Sequence, residues 1–260
     1  MKKVLLGAVG LIAMATSASA ADMAARPYTK APPMVVAMYN WSGLYVGANG
    51  GWGSSRKCWD ITNFVGIAIN PSLTEGCHDA SGGTVGGQIG YRWQASSWVF
   101  GLEAQGNWAD FKGSNVSLQL PNSRNESKID AFGLFTGQVG YAWNNALLYV
   151  KGGAAVVSDK YTGSTVFPGA VPVGTAFDSA RETRWGATVG VGMEYGFTPN
   201  WTFGIEYNHL FMGNRDITMA STGVIAPAGT LVRIDRINQD VDMVTARVNY
   251  KFGGPVVARY

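Results

Sequence analysis

Residues 184–197 and 201–211 alternate with period two between apolar positions and polar or glycine positions. In the first, Trp185, Ala187, Val189, Val191, Met193, Tyr195 and Phe197 share one parity, and Arg184, Thr188, Glu194 and glycines share the other. Such alternation predicts a β-strand. The second repeats it, with Trp201, Phe203, Ile205, Tyr207 and Phe211 against Thr202, Gly204, Glu206 and Asn208. Only Thr198, Pro199 and Asn200 separate the two, so they form a hairpin. Its apolar face is continuous and ends in aromatics, while the opposite face carries ionised groups. That is the reverse of a soluble sheet: apolar toward lipid, polar toward a lumen.

The same alternation predicts eight strands, at 40–53, 83–94, 98–111, 128–143, 146–157, 182–197, 201–211 and 240–252. Each is long enough to cross an outer membrane at the usual tilt. The connections at 95–97, 144–145 and 198–200 are tight, whereas 54–82, 112–127, 158–181 and 212–239 are long and polar. Short turns at one end and long loops at the other are expected of an outer-membrane barrel. The two-residue turn Asn144-Asn145 switches inward parity from even to odd, and Gln138 and Lys151 obey that switch. The expected fold is all-β, an eight-stranded antiparallel transmembrane barrel. Ten strands is the alternative, if 61–69 and 115–120 add strands of their own.

Parity assigns a charge network to the lumen: Arg92, Glu103, Asp130, Lys151, Arg184, Glu194, Glu206 and Arg247, with Gln88, Gln105, Gln138 and Lys251. An eight-stranded interior is just wide enough for side chains to fill, so paired charges there are expected to plug the barrel. A narrow porin passing small solutes is the alternative. The aromatics near strand ends predict interfacial girdles: Trp41, Trp93, Trp98, Trp108, Trp143, Trp185, Trp201 and Phe252.

Composition agrees with a barrel. Of 260 residues 35 are glycine, 12% are aromatic and only 14% are charged, and mean hydropathy is near zero at +0.03. Beyond the N-terminus there is no apolar run long enough for a helical span, and only helices and closed barrels satisfy every backbone group in lipid. Lys2 and Lys3, the apolar run 4–15 and the sequence Ala18-Ser19-Ala20 read as a signal peptide cleaved near Ala20/Ala21. The expected organisation is signal peptide 1–20, extended periplasmic arm 21–39, barrel 40–252 and tail 253–260. Cys58 and Cys77, the only cysteines, fall in the first long loop and are expected to be bridged in an oxidising compartment. A net charge of +3, with no tight basic tract, gives no nucleic-acid surface.

Catalysis is not expected. The chain has two histidines and no G-x-S-x-G element. His209 sits on the lipid-facing parity, where a membrane esterase would place a general base, and Ser158 and Ser221 lie in loops. His78, beside Asp79 and the cysteine pair, is the nearest approach to a metal or haem ligand set. No metal and no cofactor are expected.

The segments Tyr39-Asn40-Trp41-Ser42-Gly43-Leu44-Tyr45-Val46-Gly47, Gly137-Gln138-Val139-Gly140-Tyr141-Ala142-Trp143, Tyr149-Val150-Lys151-Gly152-Gly153-Ala154 and Val248-Asn249-Tyr250-Lys251-Phe252 resemble the small porin-family outer-membrane proteins of rhizobia and related alphaproteobacteria. The resemblance spans nearly all the mature chain. It implies an OmpA-like barrel of the Gram-negative outer membrane with a role in envelope integrity and surface recognition, some relatives being immunogenic or haem-binding; a haem-binding or lipid-modifying barrel is the second alternative. The partners it implies are outer-membrane lipids and lipopolysaccharide, the barrel-assembly machinery during insertion, and a host or surface ligand at the loops. Two features depart from the family pattern: the cysteine pair, and the continuation past Phe252 to Tyr260, which leaves either aromatic to serve as the assembly signal.

Overall fold

A computed structural model describes residues 39–167 and 171–253. The expected signal peptide, all of the arm but Tyr39, and the tail after Gly253 lie outside the described residues. Eight strands form one closed antiparallel barrel: β1 (Gly43–Phe64), β2 (Ile67–Ala95), β3 (Trp98–Val116), β4 (Ser123–Trp143), β5 (Ala146–Thr165), β6 (Ala176–Gly196), β7 (Trp201–Ser221) and β8 (Leu231–Lys251). Each strand pairs with its sequence neighbour, and β1 closes on β8. Closure gives every strand a neighbour on both sides. The stretches 61–69 and 115–120 extend existing hairpins, so the count is eight and not ten.

Strand starts at the tight turns follow the sequence pattern, and the turns have the backbone they need. Asn144 takes φ 50° and Ser96 φ 55°, the left-handed conformation of two-residue hairpin turns. The far ends differ from expectation. Much of what reads as long polar loops continues as paired strand, giving strands of 19 to 29 residues, roughly twice the 9–11 that a bilayer requires.

The outer wall explains this. From the tight turns upward the outward side chains are apolar, as in Leu44, Val46 and Trp52 on β1 or Phe203, Ile205 and Phe211 on β7. Beyond that belt the outward positions become polar, with Asp110, Lys112, Lys128, Arg181 and Arg236. The wall therefore leaves lipid but keeps its ladder. Two glycines let large inward rings cross the narrow lumen: a Cβ on Gly90 or Gly192 would stand 2.4 Å from the ring of Tyr45 or Tyr149, respectively.

Candidate functional site

The lumen is filled in layers. Nearest the tight turns, Tyr39, Trp41, Val99, Ala142, Leu147 and Tyr149 form an apolar cap. Trp41 is therefore not a girdle residue: it is only 2% exposed, and it packs against Tyr39 with ring centroids 4.6 Å apart. It lies just before β1, and the chain there turns under the barrel instead of along its wall. The other aromatics expected in the girdle, Trp93, Trp98, Trp108, Trp143, Trp185, Trp201 and Phe252, face outward and are 43–75% exposed in the isolated chain.

Above the cap lies an ionic network in which Arg92, Glu103, Lys151, Glu194, Glu206 and Arg247 come together from six strands. Arg92 donates both terminal nitrogens to Glu194, each at 2.7 Å. Arg247 bridges Glu103 and Glu206, contacting Glu206 at 2.5 Å, and Lys151 bridges the same pair at 3.2 and 2.5 Å. Tyr45 and Tyr149 donate hydroxyls to Glu103 and Glu206 at 2.7 Å, and Asn249 and Thr202 complete Glu194 at 3.0 Å. Three cations face three carboxylates, so the layer is neutral. Removing one partner would strand a buried charge at a cost of about 3–5 kcal/mol.

Two residues expected in this network lie elsewhere. Asp130 is outside the barrel, pairing with Lys128 at 2.6 Å. Register irregularities at Trp108/Phe111 and Ile129/Ala131 invert the parity that pointed it inward. Arg184 is fully buried but distant from the network's carboxylates in contact terms: it donates to the carbonyls of Gly213 and Ile237 at 3.2 and 3.3 Å. There the β6–β7 ladder is interrupted between Ser179 and Ala187, so on β7 the guanidinium takes the Gly213 carbonyl that β6 leaves unpaired.

Next comes an apolar septum of Phe111, Ile129, Phe132, Leu134, Ala155, Val157, Leu210, Met212, Val241 and Met243. Above it Lys57 meets Asp159 at 2.5 Å beneath the ring of Tyr161. Burial pushes the Lys57 ammonium below its ordinary pKa, and Asp159 opposes the shift. Trp59, Tyr161, Ile217, Met219 and Ile237 form a second apolar layer. Trp59, inside the 54–82 stretch that reads as a loop, is fully buried.

The outermost layer is acidic. Arg233 reaches Glu75 at 2.7 Å, Asp178 at 2.9 Å and Asp235 at 3.2 Å, and donates to Asn125 at 3.0 Å. Burial pushes Asp235 up to about 8 and raises Asp178, against the opposing pull of Arg233. None of Lys57, Asp159, Glu75, Asp178, Arg233 and Asp235 is among the expected site residues. Their signal was period-two alternation inside stretches whose polar outer face reads as loop.

Cys58 and Cys77 face each other across β1 and β2 and are bonded, with S–S 2.02 Å. His78 is buried, not solvated, with Nδ1 2.7 Å from Asn115 and Nε2 3.0 Å from Ser127; burial lowers its pKa. His209 is on the outer wall, 2.7 Å from Asp242, which also accepts from Tyr207 at 2.5 Å. Among the described residues the His209 ring is hydrogen-bonded to Asp242 and to no serine, threonine or cysteine side chain, and Thr188 donates its hydroxyl to the His209 main-chain carbonyl at 3.1 Å.

Comparison with known proteins places this architecture in a family. The 31 kDa outer-membrane immunogenic protein of Brucella melitensis is 29% identical over 97% of this chain and 100% of its own length. The 25 kDa outer-membrane immunogenic protein of Brucella abortus is 26% identical over 97% of this chain and 99% of its own. The 22 kDa outer membrane protein of Rhizobium leguminosarum is 31% identical over 52% of this chain and 56% of its own. Among solved structures, the outer membrane protein OprG from Pseudomonas aeruginosa aligns at TM-score 0.49, with 14% identity over 82% of this chain and 97% of its own. The family model for the outer membrane protein beta-barrel domain matches residues 6–252, and the chain therefore belongs to that family of outer-membrane barrels.

Proposed function

We propose that this barrel is a closed structural element of the outer membrane that supports envelope integrity and holds a recognition surface outside the cell. The observation that carries the reading is the filled lumen: a neutral ionic layer sealed above by the apolar septum. A conducting pore needs a continuous wetted path, and an apolar constriction of this kind sheds water.

The outer wall supports a partnership with anionic lipid headgroups such as those of lipopolysaccharide. Lys112, Lys128, Lys160 and Arg181 stand in direct register across β3, β4, β5 and β6. Like charges at paired positions repel, and Asp110 and Asp130 engage only Lys112 and Lys128. Phosphates at the bilayer surface would relieve the rest. The immunogenic relatives favour the same outward-facing role.

The test is conductance of the refolded mature barrel in a planar bilayer. The expected record shows no stable ohmic steps. Reproducible steps of fixed size would overturn the closed-lumen reading and favour a narrow porin.

A further inference from the structure

Where the hairpins end, the outer mouth of the barrel holds a cavity of about 330 Å³, within the size range of small-molecule sites. Its walls are Phe64, Leu120, Pro121, Phe177, Ile225 and Val232, contributed by the β1, β6 and β8 ends and the two intervening hairpin connections. Of the polar side chains at the rim, Gln119 and Ser123 already donate to the carbonyls of Thr74 and Leu120. Among the described residues, the only charged one in the lining is Arg233.

Arg233 cannot serve as an anion receptor. Its Nε, Nη1 and Nη2 are directed at Asp178, Glu75 and Asn125, and Asp235 lies against it with neither carboxylate oxygen hydrogen-bonded. With Asp235 holding its proton at pH 7, one guanidinium set against Glu75 and Asp178 leaves the floor of the cavity with a formal excess of one negative charge. A ligand carboxylate placed there would find the guanidinium already engaged, with only the exposed amide of Asn122 at the rim left to donate, and would meet an acidic field at low local dielectric.

We propose that this mouth is a binding site for uncharged apolar molecules of roughly one or two fused rings, and that it rejects their carboxylate analogues. The apolar wall supplies affinity through the area it removes from water, and the acidic floor supplies the selectivity. The inference does not depend on whether the lumen conducts, because the cavity lies outside the septum.

The test uses the full mature barrel in lipid nanodiscs at pH 7, with carbon-13 methyl labels on isoleucine, leucine and valine. Naphthalene is the neutral probe and naphthalene-2-carboxylate the anionic one. Naphthalene is expected to shift Leu120, Ile225 and Val232 saturably, with the carboxylate at least about ten-fold weaker. Val232→Trp, which fills the cavity, and Ile225→Asp, at an exposed rim position, should both abolish the saturable shifts. Unchanged methyls of Val189 and Val191 report that each variant remains folded. Equal affinity for the two probes, shifts surviving in a folded variant, or shifts confined to the lipid-facing Val189 and Val191 would each overturn the proposal.

Discussion

Asp235 is buried at the mouth with neither carboxylate oxygen hydrogen-bonded. Burial raises it to about 8; Arg233 on the same strand opposes that shift, while Glu75 on β2, Asp178 on β6 and Asp60 on β1 add to it. An unfolded aspartate ionises near pH 4, so between about 4 and 8 the folded mouth binds a proton that the open one releases. Stability from this group is complete below that window and is lost as pH rises through it. Amide exchange in the β6 and β8 ends, corrected for intrinsic rates, should therefore show easier local opening at pH 9 than at pH 5. Asp235→Asn should remove most of that dependence and protect the mouth at pH 9; a residual slope belongs to Asp178, which is also raised. An unchanged slope in the variant would assign the effect elsewhere. Residue-level reading from sequence succeeded where parity ran unbroken from a turn of known length, as for Arg92, Lys151, Glu194 and Arg247. It failed at Asp130, because a bulge shifts register without any glycine or proline to announce it. Trp41 failed for another reason: an aromatic beside a strand start looks the same whether it anchors in lipid or tucks under the barrel.

At the scale of elements, the tight-turn ends were legible and the outer ends were not. Half-buried strands show themselves by contrast between faces, and above the belt both faces of each hairpin carry polar residues. Lys57, Trp59 and Ile61 still alternate with Arg56, Cys58 and Asp60, but charge on the outer face hides the pattern. The disulfide belongs to this region. It joins directly opposed residues of β1 and β2, and β1 is also held by β8 from Tyr45 to Phe64. Ladders on both sides thus constrain what the bond constrains, and little of the roughly 3 kcal/mol available to a loop of this size in the chain-entropy model should reach the barrel as a whole. Reduction is expected to slow migration of the unfolded chain on a gel while leaving the heat-dependent shift of the folded band intact. Loss of that shift would make the bond a requirement of the barrel itself.

For the whole molecule, the alternation of ionic and apolar layers means that closure does not rest on any one layer. Phe111, Phe132, Leu134, Leu210 and Met243 seal the lumen independently of the Arg247 network. Arg247→Ala should consequently destabilise the barrel by several kcal/mol, on the order of the 3–5 typical of a broken buried pair, read as a lower urea midpoint, without opening a current in a planar bilayer. Current should require Phe111→Ala and Phe132→Ala in addition; current from Arg247→Ala alone would show that the septum does not seal. Every septum member except Ile129 falls on the inward parity of its strand, and Ile129 is turned inward by the same irregularity that turns Asp130 out.

The continuation of the ladder past the belt has a mechanical meaning. About ten residues of each strand rise beyond the lipid, which at an outer-membrane tilt lifts the tips by roughly 25 Å. Because that height is built of hydrogen-bonded wall, the tips meet a visitor already arranged, and little ordering entropy is charged against the encounter. Whatever lands on them presses on a tower, not on a tuft of grass.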